Sequence, residues 1–163
     1  MLNMMEWLFK LPKEIAVIFV GMLPIFELRG AIPLGFYFGF PIVKNFALSV
    51  FGNMLPIIPL MFLLNPISER LRRFPLWKKF FDWLFERTKK KADVIQKYEA
   101  LGLAIFVAIP LPMTGAWSGA IAASLFKIRF RYAFPAIFLG VIGAALIVTM
   151  LCILGKLTWN MVR

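Results

Sequence analysis

Residues 22–35 read MLPIFELRGAIPLG. A carboxylate, Glu27, and a guanidinium, Arg29, stand two positions apart in the middle of an apolar stretch, 15–43, that carries no other charge. A charge at the centre of a bilayer costs about 2.5–3.5 kcal/mol on translocon-type scales, so such residues face a cavity or find a partner. Pro24, Gly30, Pro33 and Gly35 crowd the same stretch. Proline removes a backbone donor, clashes with the preceding turn and drives the residue before it out of the helical region. Together these residues predict a break in mid-segment in place of a continuous spanning helix.

Three further stretches, 45–68, 100–126 and 132–155, carry no charge at all. Each exceeds the ~20 residues needed to cross a ~30 Å hydrocarbon core, and hydropathy alone would give four spans. The stretch 100–126, however, has its own central break, IPLPMTGAWSGA at 109–120. The arms 14–24, 30–40, 100–110 and 116–126 are each 11 residues long. An 11-residue helix reaches about 16 Å, half a bilayer. Each broken segment is therefore expected to be a helical hairpin that enters half-way and returns, a geometry tolerated where it is buried in protein or lines a cavity.

A broken segment leads into an uninterrupted one in both halves. Gly30-Ala31 and Gly115-Ala116 sit at equivalent breaks 85 residues apart, and Gly52 and Gly140 lie 88 apart in the following spans. The expected fold is an all-α integral membrane protein of two inverted repeats, each a re-entrant helical hairpin plus one transmembrane helix. One membrane domain, 1–163, would hold repeat one at 13–64, a basic amphipathic connector at 65–99 and repeat two at 100–155. Interrupted apolar segments in matching places of two halves point to the substrate site of a secondary transporter.

Composition agrees. Of 163 residues, 61% are hydrophobic, and the mean hydropathy is +0.82, where soluble domains run near half apolar. No cleavable signal peptide is expected after Lys13, because the apolar segment continues past Arg29 without a clear small-residue cleavage site. The single cysteine, Cys152, excludes an internal disulfide. With no histidine, the usual zinc constellations and histidine general-base chemistry are absent; no cofactor or metal is expected, and an enzyme is the class that fits least.

The net charge is +11, and ten of the 19 basic residues fall in 65–99 with five acidic ones. An anionic inner leaflet is the expected partner of that excess, ahead of nucleic acid, and the connector belongs in the cytoplasm. Trp77, Phe80, Phe81 and Leu84 follow the i, i+3, i+4, i+7 spacing of one helical face. They read as the membrane-surface anchor of a helix lying among lipid headgroups. If both broken segments are re-entrant, the KIRFR run at 127–131 also falls on the cytoplasmic side; if all four segments cross, it falls outside.

Glu27 is the candidate proton-coupling group, since a carboxylate in a low-dielectric cavity can hold a proton at neutral pH. Arg29 presents a planar fork suited to phosphate or carboxylate. Gly30, and in the second tip Thr114, Gly115, Trp117 and Ser118, lie where helices restart with free N–H groups and partial positive charge, a setting for substrate. Asn53, inside the first span, either lines the path or hydrogen-bonds a neighbouring helix. The structural alternatives are a scaffold or non-coupled lipid scramblase, in which a buried network of Glu27 and Arg29 only holds the tip, and helix capping by Thr114 and Ser118. Protons and membrane lipids are the other expected partners. A homodimer is also open, because the chain is small for a complete transport path.

With ELRGAIPLG and PLPMTGAW in place, the sequence resembles the bacterial and archaeal small multidrug export proteins, from Leu11 to about Leu154. That family is distantly similar to the DedA, or VTT-domain, superfamily. The resemblance implies an ion-coupled transporter with two facing re-entrant hairpins in the cytoplasmic membrane of a prokaryote. Some members of the superfamily move lipid phosphates such as undecaprenyl phosphate, whereas the family name implies efflux of organic cations. Glu27 and Arg29 match the first motif. The second tip, Pro112-Met113-Thr114-Gly115, lacks the arginines typical of DedA proteins.

Overall fold

The computed structural model describes residues 11–63, 92–111 and 114–162. Among them are six helices and no strand: α1 (Lys13–Met22), α2 (Glu27–Tyr37), α3 (Ile42–Met54), α4 (Ala92–Ala108), α5 (Ala116–Leu125) and α6 (Phe130–Val162). The anchor residues Trp77, Phe80, Phe81 and Leu84 lie outside the described residues. Of the connector 65–99, the described part is helical: α4 begins at Ala92, ahead of the arm expected from 100.

Pro24 ends the first arm. The chain turns over residues 23–26, and Glu27 N–H bonds the Leu23 carbonyl at 2.9 Å. α2 then starts at Glu27, three residues before the expected Gly30, so Gly30, Pro33 and Gly35 are helical residues. Their roles differ from the expected one. Pro33 is exposed, where its missing N–H can be tolerated. A Cβ on Gly30 would lie 2.8 Å from Phe26 Cβ, and one on Gly35 would run into the Asn45 amide. These glycines permit close approach; the break itself is confined to 23–26.

α1 and α2 form an antiparallel hairpin, with Lys13 Nζ 5.8 Å from the Phe38 ring centroid at its open end and Val20 against Gly30 near its tip. α3 runs beside α1 in the same direction. Lys44 bonds Glu14 at 2.7 Å, a Cβ at Gly52 would lie 2.5 Å from the Ile18 carbonyl oxygen, and one at Gly21 would lie 3.3 Å from Asn53 N. The hairpin tip is thus level with Asn53. α3 turns at Leu55-Pro56 and resumes, giving an apolar helical stretch Ile42–Leu63 of 22 residues. Asn53 sits half-way along it.

The second half repeats the arrangement. α4 lies beside α6, in the same direction, with Gly140 against Ala104 and Val107 and Gly143 against Ala108. The end of α4 is level with Gly143, about mid-way along the 27-residue apolar stretch Phe130–Lys156. The turns after α2 and α5 match as well. Gly39 (φ +78°) and Lys127 (φ +54°) each hold the left-handed position after the helix, 88 residues apart. In each turn the following N–H reaches back, Phe40 to the Gly35 carbonyl at 3.0 Å and Ile128 to the Ala123 carbonyl at 2.9 Å, a Schellman closure.

The α3 stretch and α6 cross in opposite directions. Phe62 stacks on Phe130 at 5.2 Å at one end, and Asn53 and Val141 line one cavity at the middle. Ile32, Ile57, Val107, Ile137 and Val141 are buried between the halves. Both long apolar stretches, Ile42–Leu63 and Phe130–Lys156, are long and apolar enough to cross a membrane, yet only 39% of each is buried. Leu139, Met150, Leu151 and Leu154 face outward. A helix that is apolar all round and half uncovered suits a lipid surrounding.

Candidate functional site

The two tips meet. α2 begins with Glu27, whose φ of +45° is a left-handed conformation uncommon for a residue with a Cβ. Strain of this kind, about 1–3 kcal/mol, persists where surrounding contacts over-determine it. Those contacts come from the second tip. Trp117 N–H donates to Glu27 Oε1 at 3.4 Å, and Arg29 Nη2 donates to the Thr114 carbonyl at 2.6 Å. Trp117 Nε1–H donates to the Met22 carbonyl, at the end of α1, at 3.1 Å.

No direct salt bridge joins Glu27 and Arg29; each reaches across to the other half. Glu27 is buried, 7% exposed, and its carboxylate sits at the N-terminus of α5. Free N–H groups and partial positive charge there favour an anion by about 0.3–1 kcal/mol, up to ~2 where partly buried. Gly115 makes the approach possible: a Cβ at that position would collide with Glu27 Oε2. The backbone of Gly115 is extended (φ 169°), so glycine is required there for space alone.

The expected hydroxyl ligands turn inward on their own loop. Thr114 Oγ1 donates to the Ile109 carbonyl at 2.6 Å and accepts from Leu111 N–H at 3.0 Å. Ser118 Oγ accepts from Gly115 N–H at 2.9 Å and lies 3.1 Å from the Gly115 carbonyl, closing the first turn of α5. Ser118 thus closes the first turn of α5, Thr114 ties its own loop to Ile109 and Leu111, and Trp117 fastens one tip to the other. Gly30 packs against Val20 and Phe26.

Glu27, Arg29, Asn53, Thr114 and Gly115 share a small cavity between the tips, closed by Val141 and Ala144 of α6. Its volume is about 10 Å³, room for roughly one water molecule. Asn53 is 1% exposed, and neither its Oδ1 nor its Nδ2 has a hydrogen-bond partner. A buried amide in that state costs about 1–3 kcal/mol and calls for an explanation.

Sequence reasoning missed two features. Asn45 and Ser49 continue Asn53, itself an expected site residue, into a buried polar file on α3, with Asn45 Nδ2–H donating to the Ile32 carbonyl at 2.8 Å and Ser49 Oγ–H to Asn45 Oδ1 at 3.3 Å. Their i, i+4, i+8 spacing was the available signal. The other is the Met22 carbonyl, for which no side-chain signal exists. Among the described residues no group of three or more His, Cys, Asp or Glu is placed to hold a metal.

No curated protein and no solved structure matches this chain. A family described as "Putative small multi-drug export protein" matches residues 27–147, from the first residue of α2 into the middle of α6. That span holds Glu27, Arg29, the whole second tip and every residue lining the cavity except Val148, and it is most of the sequence. The chain belongs to the small multi-drug export protein family.

Proposed function

We propose that the protein is a small secondary transporter that moves an anionic or amphipathic substrate, of the lipid-phosphate kind, across the cytoplasmic membrane, with proton coupling through Glu27. The family description supports export in general. One observation carries the rest: two helix breaks meet level with the midpoints of two oppositely directed apolar helices. There Glu27, Arg29 and Asn53 line one cavity. Half-length hairpins facing one another at mid-membrane are how inverted-repeat transporters build a substrate site. The arms of the first hairpin, 10 residues in α1 and 11 in α2, reach about 15–16 Å, half a bilayer, as does α5 with 10, while α4 with 17 residues extends further.

The same geometry supports the re-entrant topology and the division into repeats at 13–64 and 100–155 around the connector. The connector leaves the first span after Leu63, and the stack of Phe62 on Phe130 holds the basic run 127–131 at that same end. With the connector in the cytoplasm, all of this charge lies inside. The substrate site would comprise Arg29, Asn53 and the N-terminal turn of α5 at Gly115 and Trp117.

A second assignment is efflux of organic cations, one kind of multi-drug export, in which Glu27 would be the counter-charge. Flux into proteoliposomes separates the two. Wild-type protein should move a short-chain lipid phosphate in response to a pH gradient, and Glu27→Gln should abolish the response while remaining folded. Gradient-driven flux that survives in folded Glu27→Gln sinks proton coupling through this residue. Uptake of a cationic dye without any of the lipid phosphate favours the second assignment.

A further inference from the structure

We infer that the cavity between the tips is an anion site already occupied by the chain's own carboxylate, so that Glu27 is a tethered competitor which a substrate anion must displace. This rests on the transport assignment above for its location and goes beyond it in what it says of affinity and coupling. The carboxylate sits where a bound anion would: against the N-terminus of a 10-residue helix, with Trp117 N–H on Oε1. Gly115 supplies the hollow that its other oxygen fills. Arg29 stands beside it, its guanidinium anchored on the Thr114 carbonyl by one of five N–H groups. Asn53 lines the same cavity with both amide atoms unpartnered and 1% exposed. The carboxylate leaves that amide unused; a larger tetrahedral anion, with oxygens on several sides, can accept from Asn53 Nδ2 as well as from Arg29 and α5.

The space left beside the carboxylate holds about one water, so a phosphate does not fit while Glu27 stays in place. An incoming phosphate therefore enters when Glu27 takes up a proton and swings away. A neutral Glu27 with a monoanion bound leaves the site with the net charge it had before, so one proton is taken up with each negative charge of substrate. The charged group facing Glu27 is Arg29, on its own helix. The elements packed against it present the Met22 carbonyl (α1), Asn53 (α3), Trp117 (α5) and Val141 and Ala144 (α6), none of them titratable.

The test is equilibrium binding to the full chain in zwitterionic nanodiscs, by calorimetry, at fixed pH. Orthophosphate and dihexanoyl phosphatidic acid are the two probes, the free ion and the lipid headgroup. Glu27→Gln and Glu27→Asn (asparagine tolerates the positive φ) both remove the competitor. Each should tighten binding of one or both probes by about tenfold or more relative to wild type. The gain should vanish on adding Arg29→Gln and weaken on adding Asn53→Val. Which probe responds identifies the source of the phosphate. The proposal falls if neither probe tightens in a variant that keeps the wild-type thermal transition, or if the gain persists without Arg29. Should both variants unfold, wild-type protein is titrated with sulfate, which does not itself change charge, from neutral to mildly acid pH. Tighter binding in acid upholds the competitor, and a flat profile overturns it. Because no flux is measured, a chain that binds neither probe yet still drives gradient-dependent transport overturns this inference and leaves the transport assignment standing.

Discussion

Glu14 and Lys44 mark the end of the molecule away from the connector, 2.7 Å apart and both about half exposed. The hydrogen bond from Lys44 holds the Glu14 carboxyl below its ordinary value of 4.5. A depressed carboxylate contributes stability that is present above the unfolded value and is lost as pH falls through the folded value. Solvent screens so exposed a pair, and its effect is small. Lys44→Met should therefore lower thermal stability slightly at neutral pH and low salt. The difference should shrink as pH falls below 4.5 and vanish once the Glu14 carboxyl is protonated in the folded protein. A difference that persists unchanged in acid would point to the Lys44–Phe40 ring contact, 4.5 Å, in place of the ion pair. At this scale the sequence was legible where chemistry is expensive. Glu27 and Arg29 stand out in an uncharged segment, and both line the cavity. Their partners were not legible, because Thr114 and Trp117 lie 85 and 90 residues away and contribute a backbone carbonyl and a backbone N–H. No side-chain pattern encodes those.

Among the helices, glycine divides by what stands opposite it. Gly52 and Gly140 face backbone: an added Cβ would lie 2.5 Å from the Ile18 carbonyl oxygen in one case and 2.7 Å from the Ala104 carbonyl oxygen in the other. Gly102, on α4, faces open space. Gly52→Ala and Gly140→Ala should each destabilise by about 1–3 kcal/mol through overpacking. Gly102→Ala should stabilise by roughly 0.4–1 kcal/mol by limiting the unfolded chain. Thermal unfolding of the three variants in one detergent checks the order; equal effects at all three would mean that close helix contact is not what holds these elements together. The arm lengths were readable because proline and charge punctuate them. The start of α2 was misplaced because Gly30, Pro33 and Gly35 resemble breakers on paper. In the fold they are contact positions, or lie on an exposed face, and the turn at 23–26 needs Pro24 alone among them.

For the whole molecule, the decisive question is which ends share a side of the membrane. Single cysteines at Lys127 and Arg131 in a Cys152→Ser background, treated with an impermeant thiol reagent on intact cells, should stay unlabelled until the membrane is opened. Labelling from outside would mean four crossings and would remove the half-membrane hairpins. The sequence carried the helical, apolar character of both halves and the matching places of Gly52 and Gly140, 88 residues apart in the two long apolar stretches. It did not carry how the halves dock, because that interface is made of small aliphatic residues such as Ala116, Ala120 and Ala144, which are common everywhere in such a chain.

The polar file on α3 has one more consequence. Asn45, Ser49 and Asn53 correspond, at the 88-residue spacing, to Ala133, Ile137 and Val141, all fully buried. In an ideal inverted repeat, trading the conformations of the two halves yields the opposite-facing state at no change in energy. Here the trade is not even, because one half must find partners for two amides and a hydroxyl and the other has nothing to satisfy. If the protein cycles as proposed, its two facing states therefore differ in resting population, and the polar file on one helix decides which of them is favoured.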